Sequence, residues 1–245
     1  MAATSVLART APVEHVVMSE AAAASPEMER LLGARLVGGA DLTSHVSKSV
    51  EETAFLARRA AESGADRVVV AGGDGTVNAA VNGLMQASRA VPLGIVPMGT
   101  ANDAAVSLGL PVDPIETLEG IWSGRFVPRA VDVARANNRW FLNVLTIGKP
   151  AQVTRDTPIP MKRALGGLAY LAYGLTQVVE MDAFQAVLRA PGFLWQGGAF
   201  AIYVGNGRSA GGGFNVVPDA DMRDGELDIV VVPEMDVGNL LALFG

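Results

Sequence analysis

Apolar and polar positions follow one rhythm up to about residue 127 and another after it. Residues 14–18 (Glu-His-Val-Val-Met) read as a short strand. Ser25-Pro26-Glu27-Met28-Glu29-Arg30 reads as a helix start, with a Ser cap, Pro at the first position and acids in the first turn. Residues 35–37 suggest another strand. Residues 49–63 predict an amphipathic helix, with Val50, Ala54, Leu56, Ala57 and Ala60 on or near one face and Gly64 at its end. A β-branched strand over 67–71 then enters Gly72-Gly73-Asp74-Gly75-Thr76-Val77-Asn78, and a helical pattern leaves it through Val77, Val81, Leu84 and Met85. The same order returns with a strand at 93–96, a turn at 97–103 and a helix at 104–108, closed by Gly109-Leu110-Pro111. Two strand–turn–helix units in series predict a parallel α/β domain with both turns at the carboxyl edge of one sheet. Asp74, Thr76, Thr100, Asn102 and Asp103 are therefore expected to face one cleft.

Beyond residue 127, segments 130–134, 140–145, 199–204 and 227–232 read as strands joined by Gly- and Asn-rich turns. That pattern predicts a second, mainly antiparallel domain, giving domains at 1–128 and 129–245. A helix is expected over 162–181, with an apolar stripe of Leu165, Leu168, Ala169, Ala172, Leu175, Val178 and Val179 behind Lys162 and Arg163. The stripe reads as core packing or as the wall of an acyl-chain pocket near a membrane surface.

Composition narrows the chemistry. Of 245 residues, 50% are apolar, enough for a sizeable core. A net charge of −6 argues against a broad nucleic-acid surface. There is no cysteine, which excludes disulfides and thiolate metal sites, and the two histidines, His15 and His45, are too few for a His-rich metal cluster. No run of about 18 apolar residues predicts a membrane-spanning helix. Residues 1–12 lack the continuous apolar middle of a signal peptide, so a cytoplasmic protein is expected.

The glycine stretch at 72–78 has the makings of a phosphate site. Glycines let the backbone approach an anion, and the new helix offers unpaired N–H groups at the positive end of its dipole. Asp74 adds a carboxylate suited to Mg²⁺ or a nucleotide hydroxyl. The same letters also suit an ordinary tight turn with Thr76 as a helix cap. There is no G-x-x-x-x-G-K-[ST] loop and no His-Arg-Asp motif, which disfavours the P-loop and protein-kinase classes.

Four separated motifs, taken in order, resemble the diacylglycerol kinase catalytic-domain family in its bacterial soluble lipid-kinase branch, related to sphingosine and ceramide kinases. They are Gly72 to Asn78; Gly99-Thr100-Ala101-Asn102-Asp103 with Leu108-Gly109-Leu110-Pro111; Asp132 with Phe141-Leu142-Asn143 and Gly148; and Gly205-Asn206-Gly207 with Gly211-Gly212-Gly213-Phe214, Pro218 and Asp224-Gly225. The resemblance runs from about residue 49 to 232.

It implies an α/β N-terminal domain with a parallel sheet, of NAD kinase/diacylglycerol kinase type, plus a mainly antiparallel β domain. It also implies ATP in a cleft and Mg²⁺-dependent transfer of the γ-phosphate to a lipid hydroxyl, diacylglycerol-like. On that resemblance Gly72, Gly73, Asp74, Gly75, Thr76 and Asn78 hold ATP, Thr100 touches the nucleotide, and Ser47 stands near a family Ser/Thr that contacts ATP. Asp74 and Asp103 are the implied catalytic carboxylates, with Asn102 and Asp103 ordering the cleft and its metal. A structural Mg²⁺ is implied at Asp224 by its side chain, with Asp221 and Glu226 beside it through carbonyls. Asp224-Gly225 equally suits a hairpin turn. The implied partners are ATP, a lipid substrate and a peripheral surface of the inner membrane, with a homodimer allowed and no nucleic acid.

Two departures stand out. The family's Asn-Pro and Ser-Gly turn is missing after the first strand, where Ser19-Glu20-Ala21-Ala22 follows. No candidate is found for the family's later general base, so the chain reads as truncated. The alternatives to a lipid kinase are a catalytically dead nucleotide- or lipid-binding module and an NAD kinase, which shares the glycine loop.

Overall fold

The computed structural model describes residues 12–148 and 183–234. The expected helix at 162–181 lies outside the described residues, as does the end of the chain. By its internal contacts the chain divides into two compact units, Met1–Leu142 and Asn143–Gly245.

The first unit is built on a wholly parallel sheet in the order β2-β1-β3-β4. Its strands are β1 (Val13–Ser19), β2 (Asp41–Ser47), β3 (Arg67–Gly72) and β4 (Leu93–Pro97). Val16, Val17 and Val68 to Val70 are fully buried, as a sheet covered on both faces requires. Side chains alternate between the faces. Val16, Met18, Val69, Ala71 and Val96 share one core cluster with Met28, Leu31 and Leu32 of α2 (Pro26–Val37) and Leu118 and Ile121 of α6 (Pro114–Trp122). α3 (Val50–Glu62) and α4 (Asp74–Leu84) pack against each other and the strands, burying Ala57, Ala60, Ala61, Val77, Ala80 and Val81.

Local signals act where the sequence places them. Ser25 and Ser49 accept N–H bonds from Met28 and Glu52 as caps of α2 and α3, and Gly64 follows α3 at φ +95°. The expected strand at 35–37 does not form. Helix α2 runs through it to Val37, and the strand begins at Asp41. Leu36 and Val37 are exposed at the helix end, so their apolar character reflects no strand burial. α1 (Glu20–Ala23), capped by Ser19, occupies the place of the missing family turn.

A short hairpin, β5 (Ala134–Ala136) with β6 (Arg139–Phe141), closes the first unit. The strand expected at 130–134 is therefore displaced, because pairing starts only beside the turn at Asn137, whose φ is +52°. The strand expected at 140–145 is split into β6 and β7 (Val144–Gly148) by the bend at Leu142 and Asn143. This hairpin falls within the first unit by its internal contacts.

The second unit is antiparallel. Its long strand β9 (Phe193–Gly205) pairs with β7, β8 (Phe184–Ala190) and β12 (Asp228–Pro233). A small pair, β10 (Ser209–Ala210) with β11 (Phe214–Asn215), turns through Gly211, Gly212 and Gly213, all at positive φ. Among the described residues no helix is long and apolar enough to cross a membrane.

Candidate functional site

The site begins where β3 stops. Only Gly73 separates the last residue of β3 from the first of α4, and it is the helix N-cap, without a side-chain bond. Thr76 is therefore not the cap. Its side chain lies against Gly72 instead: a methyl on Gly72 would sit 2.7 Å from Thr76 Cβ and Oγ1. The first helical bond runs from Val77 N–H to Gly73 O at 3.0 Å. The N–H groups of Asp74, Gly75 and Thr76 thus have no intrahelical partner and stand at the positive end of an eleven-residue helix. A methyl on Gly75 would meet nothing within 4 Å, so open space fronts this turn. Backbone donors around such space fit a phosphate group.

The second loop is locked to the first. Met98 N–H donates to Gly72 O at 2.9 Å. A methyl on Gly99 would lie 2.5 Å from Gly73 Cα, so the two loops touch backbone to backbone. Asn102 holds Gly99 from both sides: Oδ1 accepts its N–H at 2.8 Å and Nδ2 donates to its carbonyl at 3.1 Å. Asn102 does this from a left-handed backbone, φ 55°. α5 (Asp103–Ser107) follows, and Asp74 Oδ1 accepts the N–H of its Ala104 at 2.9 Å. Asp103 is buried at the first position of α5, and Thr100 is exposed on the loop. Asp74, Thr76, Thr100, Asn102 and Asp103 thus all lie at the carboxyl edge of one sheet, on two loops in contact. Asp74 Oδ2 accepts no hydrogen bond from the described residues, which leaves one carboxylate oxygen suited to Mg²⁺.

Two residues expected to touch nucleotide also make hydrogen bonds within the fold. Ser47 is buried; its Oγ donates to Met18 O at 3.1 Å and lies 2.8 Å from Thr53 Oγ1, bracing the ends of β1 and β2. Asn78 Oδ1 accepts Leu142 N–H at 3.3 Å. Sequence reasoning passed over Asn82, one turn later. Its carboxamide accepts Trp140 N–H at 2.9 Å and donates to Trp140 O at 2.8 Å, matching a strand neighbour bond for bond. Its spacing of four from Asn78, on the same helix face, was the available signal.

In the second unit, Asn143 O accepts the N–H groups of Asn206 (2.9 Å) and Gly207 (3.0 Å), and Asn143 Nδ2 donates to Ser209 O at 2.6 Å. Asp224 Oδ1 accepts Glu226 N–H at 2.9 Å across Gly225, whose φ is +76°. That is a side-chain-closed turn. Asp221 pairs with Arg223, and this hydrogen-bonded guanidinium holds its carboxyl below the ordinary carboxylate range. Among the described residues, no three His, Asp or Glu side chains are gathered to hold a metal. The carboxylates of Asp221, Asp224 and Glu226 therefore do not fit an ion bound through all three side chains.

The diacylglycerol kinase catalytic domain family matches residues 19–136, and the YegS C-terminal NAD kinase beta sandwich-like domain family matches 143–245. A probable lipid kinase YegS-like of Chromohalobacter salexigens is 39% identical over 228 residues, 90% of this chain and 73% of that protein. Its Klebsiella pneumoniae counterpart is 34% identical over 90% of this chain and 74% of its own length. Among solved structures, a putative diacylglycerol kinase from Bacillus anthracis superposes with a TM-score of 0.74 at 27% identity, covering 95% of this chain and 78% of that one.

Proposed function

The chain belongs to the diacylglycerol kinase catalytic-domain family, and on that premise we propose that it transfers the γ-phosphate of ATP, with Mg²⁺, to a hydroxyl of a diacylglycerol-like lipid. The observation that carries this reading is the backbone contact of Gly73 with Gly99, which joins the phosphate-type helix start to the Asn102–Asp103 loop.

Phosphoryl transfer asks chiefly for positioning and charge neutralisation. The N–H groups of Asp74, Gly75 and Thr76 bind phosphate oxygens, assisted by the α4 dipole, and the Thr100 hydroxyl contacts the nucleotide. Asp74 has two duties: Oδ1 pins α5 through Ala104, and its other oxygen would hold Mg²⁺. Asp103, buried at the first position of α5, orders the loop that carries Thr100 and Asn102. Bound Mg²⁺ supplies charge neutralisation on the transferring phosphoryl group. Ser47 and Asn78 also brace the fold, through Met18 O and Leu142 N–H. A lipid acceptor resides in a bilayer, so peripheral contact with a membrane surface belongs to the same proposal. In the second unit, Asp224 is proposed to hold a structural Mg²⁺ with the carbonyls of Asp221 and Glu226.

The test is incubation of the chain with Mg²⁺, γ-labelled ATP and a panel of lipids in mixed micelles. A labelled lipid is the expected result. ATP binding without label on any lipid would make the chain a non-catalytic binding module, and labelled NADP⁺ from NAD⁺ would make it an NAD kinase.

A further inference from the structure

The second unit carries an arm. Strand β9 is thirteen residues long, but only its later part stands in a full sheet. β12 pairs with 199–205 and β7 with 201–205, whereas among the described residues 193–197 pair with β8 alone. A two-stranded hairpin therefore projects beyond the sheet. Its ladder closes at Ala190 and Phe193 around the turn Pro191-Gly192. Two strands alone are marginal in water and need apolar contact along them.

The tip of this arm is apolar and exposed. Phe193 is 50% exposed, Leu194 66% and Val187 47%. By the register, Leu194 and Val187 lie on one face, Phe193 and Trp195 on the other. A tip apolar on both faces suits a medium that surrounds it, not a flat protein surface that covers one side. Residues 183–207 contain a single charged side chain, Arg189, and no carboxylate, in a chain of net charge −6. Exposed apolar residues elsewhere stand beside carboxylates: Leu227 lies between Glu226 and Asp228, and Phe55 one helical turn from Glu51. An anionic surface repels those places but not the arm.

The turn also costs little to dehydrate. Pro191 has no N–H, and the ladder keeps the strands paired up to the turn. Immersing the turn with Phe193 and Leu194 takes the tip about 7 Å deep at 3.4 Å per residue, the depth at which interfacial segments sit. Arg189, in register with Leu194, then stands level with lipid phosphates. Trp195 reaches the boundary that indole rings favour.

We propose that the β8–β9 tip docks this protein on an anionic lipid bilayer, with Phe193 and Leu194 inserted and Arg189 on the headgroups. This names the membrane-contacting element for the lipid-acceptor reading above and rests on that reading.

Trp195, one of three tryptophans, is the reporter. The full chain, without ATP or Mg²⁺, is mixed with vesicles of phosphatidylglycerol and phosphatidylcholine, with and without brominated acyl chains. The expected result is a saturable blue shift and bromine quenching of the emission, both absent in Trp195→Phe. Co-sedimentation with the vesicles is expected to weaken about tenfold or more in Phe193→Ser/Leu194→Ser, and Arg189→Gln to lose the preference for phosphatidylglycerol over pure phosphatidylcholine. Wild-type partitioning by the Phe193→Ser/Leu194→Ser protein, or no Trp195 shift with any vesicle, would overturn the proposal. So would a Trp195 shift that follows protein concentration without lipid, which would give the tip to a second copy of this chain. The binding assay needs no turnover, so the two readings separate. Phosphorylation of a dispersed short-chain diacylglycerol without tip-dependent partitioning keeps the kinase and removes the docking element. Tip-dependent partitioning without a labelled lipid does the reverse.

Discussion

Gly73 and Gly99 approach so closely that a methyl on Gly99 would lie 2.5 Å from Gly73 Cα. Neither residue needs glycine for its backbone angles, since neither has a positive φ. The need is for space between two loops. Gly99→Ala is expected to push the loops apart, cost about 1–3 kcal/mol of stability and reduce lipid phosphorylation at least a hundredfold. Thermal melting and the labelled-ATP assay check the two effects separately.

Asp74 joins structure and chemistry through different oxygens. Asp74→Asn keeps an acceptor for Ala104 N–H but loses the charge. It is expected to change stability by less than about 0.5 kcal/mol while abolishing Mg²⁺-dependent turnover. Asp74→Ala also strands the Ala104 N–H and is expected to cost about 1–2 kcal/mol. Equal stability loss in both variants would place the role of Asp74 in its charge alone.

Gly83 of α4 crosses α3 with no room for a side chain: its methyl would lie 2.0 Å from the carbonyl oxygen of Ala54. In an isolated helix, Gly→Ala stabilises by about 1 kcal/mol. Here Gly83→Ala is expected to destabilise by about 2–4 kcal/mol, since two helix backbones must separate. Denaturant unfolding gives the sign directly.

Asn82→Ala removes both bonds to Trp140. A loss of about 1–3 kcal/mol is expected, with increased hydrogen exchange at the Trp140 amide. Exchange unchanged at that amide would show that water replaces the carboxamide.

His15 and His45 stack across β1 and β2 with ring centroids 5.3 Å apart and Nδ1 to Nε2 at 3.1 Å. Burial, then the charge of His45, lowers the His15 pKa against a smaller upward pull from Asp41; burial, then Arg59, lowers that of His45. Both groups therefore take protons more readily in the unfolded chain. Their contribution to stability is full above the ordinary imidazole value of about 6.5 and is lost as pH falls below it. The midpoint of urea unfolding is expected to drop between about pH 6.5 and pH 5, and the drop to shrink in the His15→Gln/His45→Gln variant.

The sequence by itself determined the elements whose signals are local. The Ser25-Pro26 and Ser49 helix starts, the β3–Gly73–α4 passage and the strand–turn–helix alternation of the first unit all follow from caps and periodicities that act within a few residues, whereas of the expected α3 stripe Ala57 and Ala60 are buried and Val50 is exposed. It failed at 35–37 and 130–134, where apolar letters carry no information about which partner lies alongside. Tertiary structure alone decided that Gly99 and Gly83 serve close approach rather than turning, because a glycine in sequence does not reveal what stands opposite its missing side chain. Only the fold could bring Asn82 to Trp140, spend Ser47 on Met18, and bury Glu14 between Arg35 and Arg67. Those partners are 21 to 58 residues apart, and their meeting depends on how strands and helices stack, which no local pattern encodes.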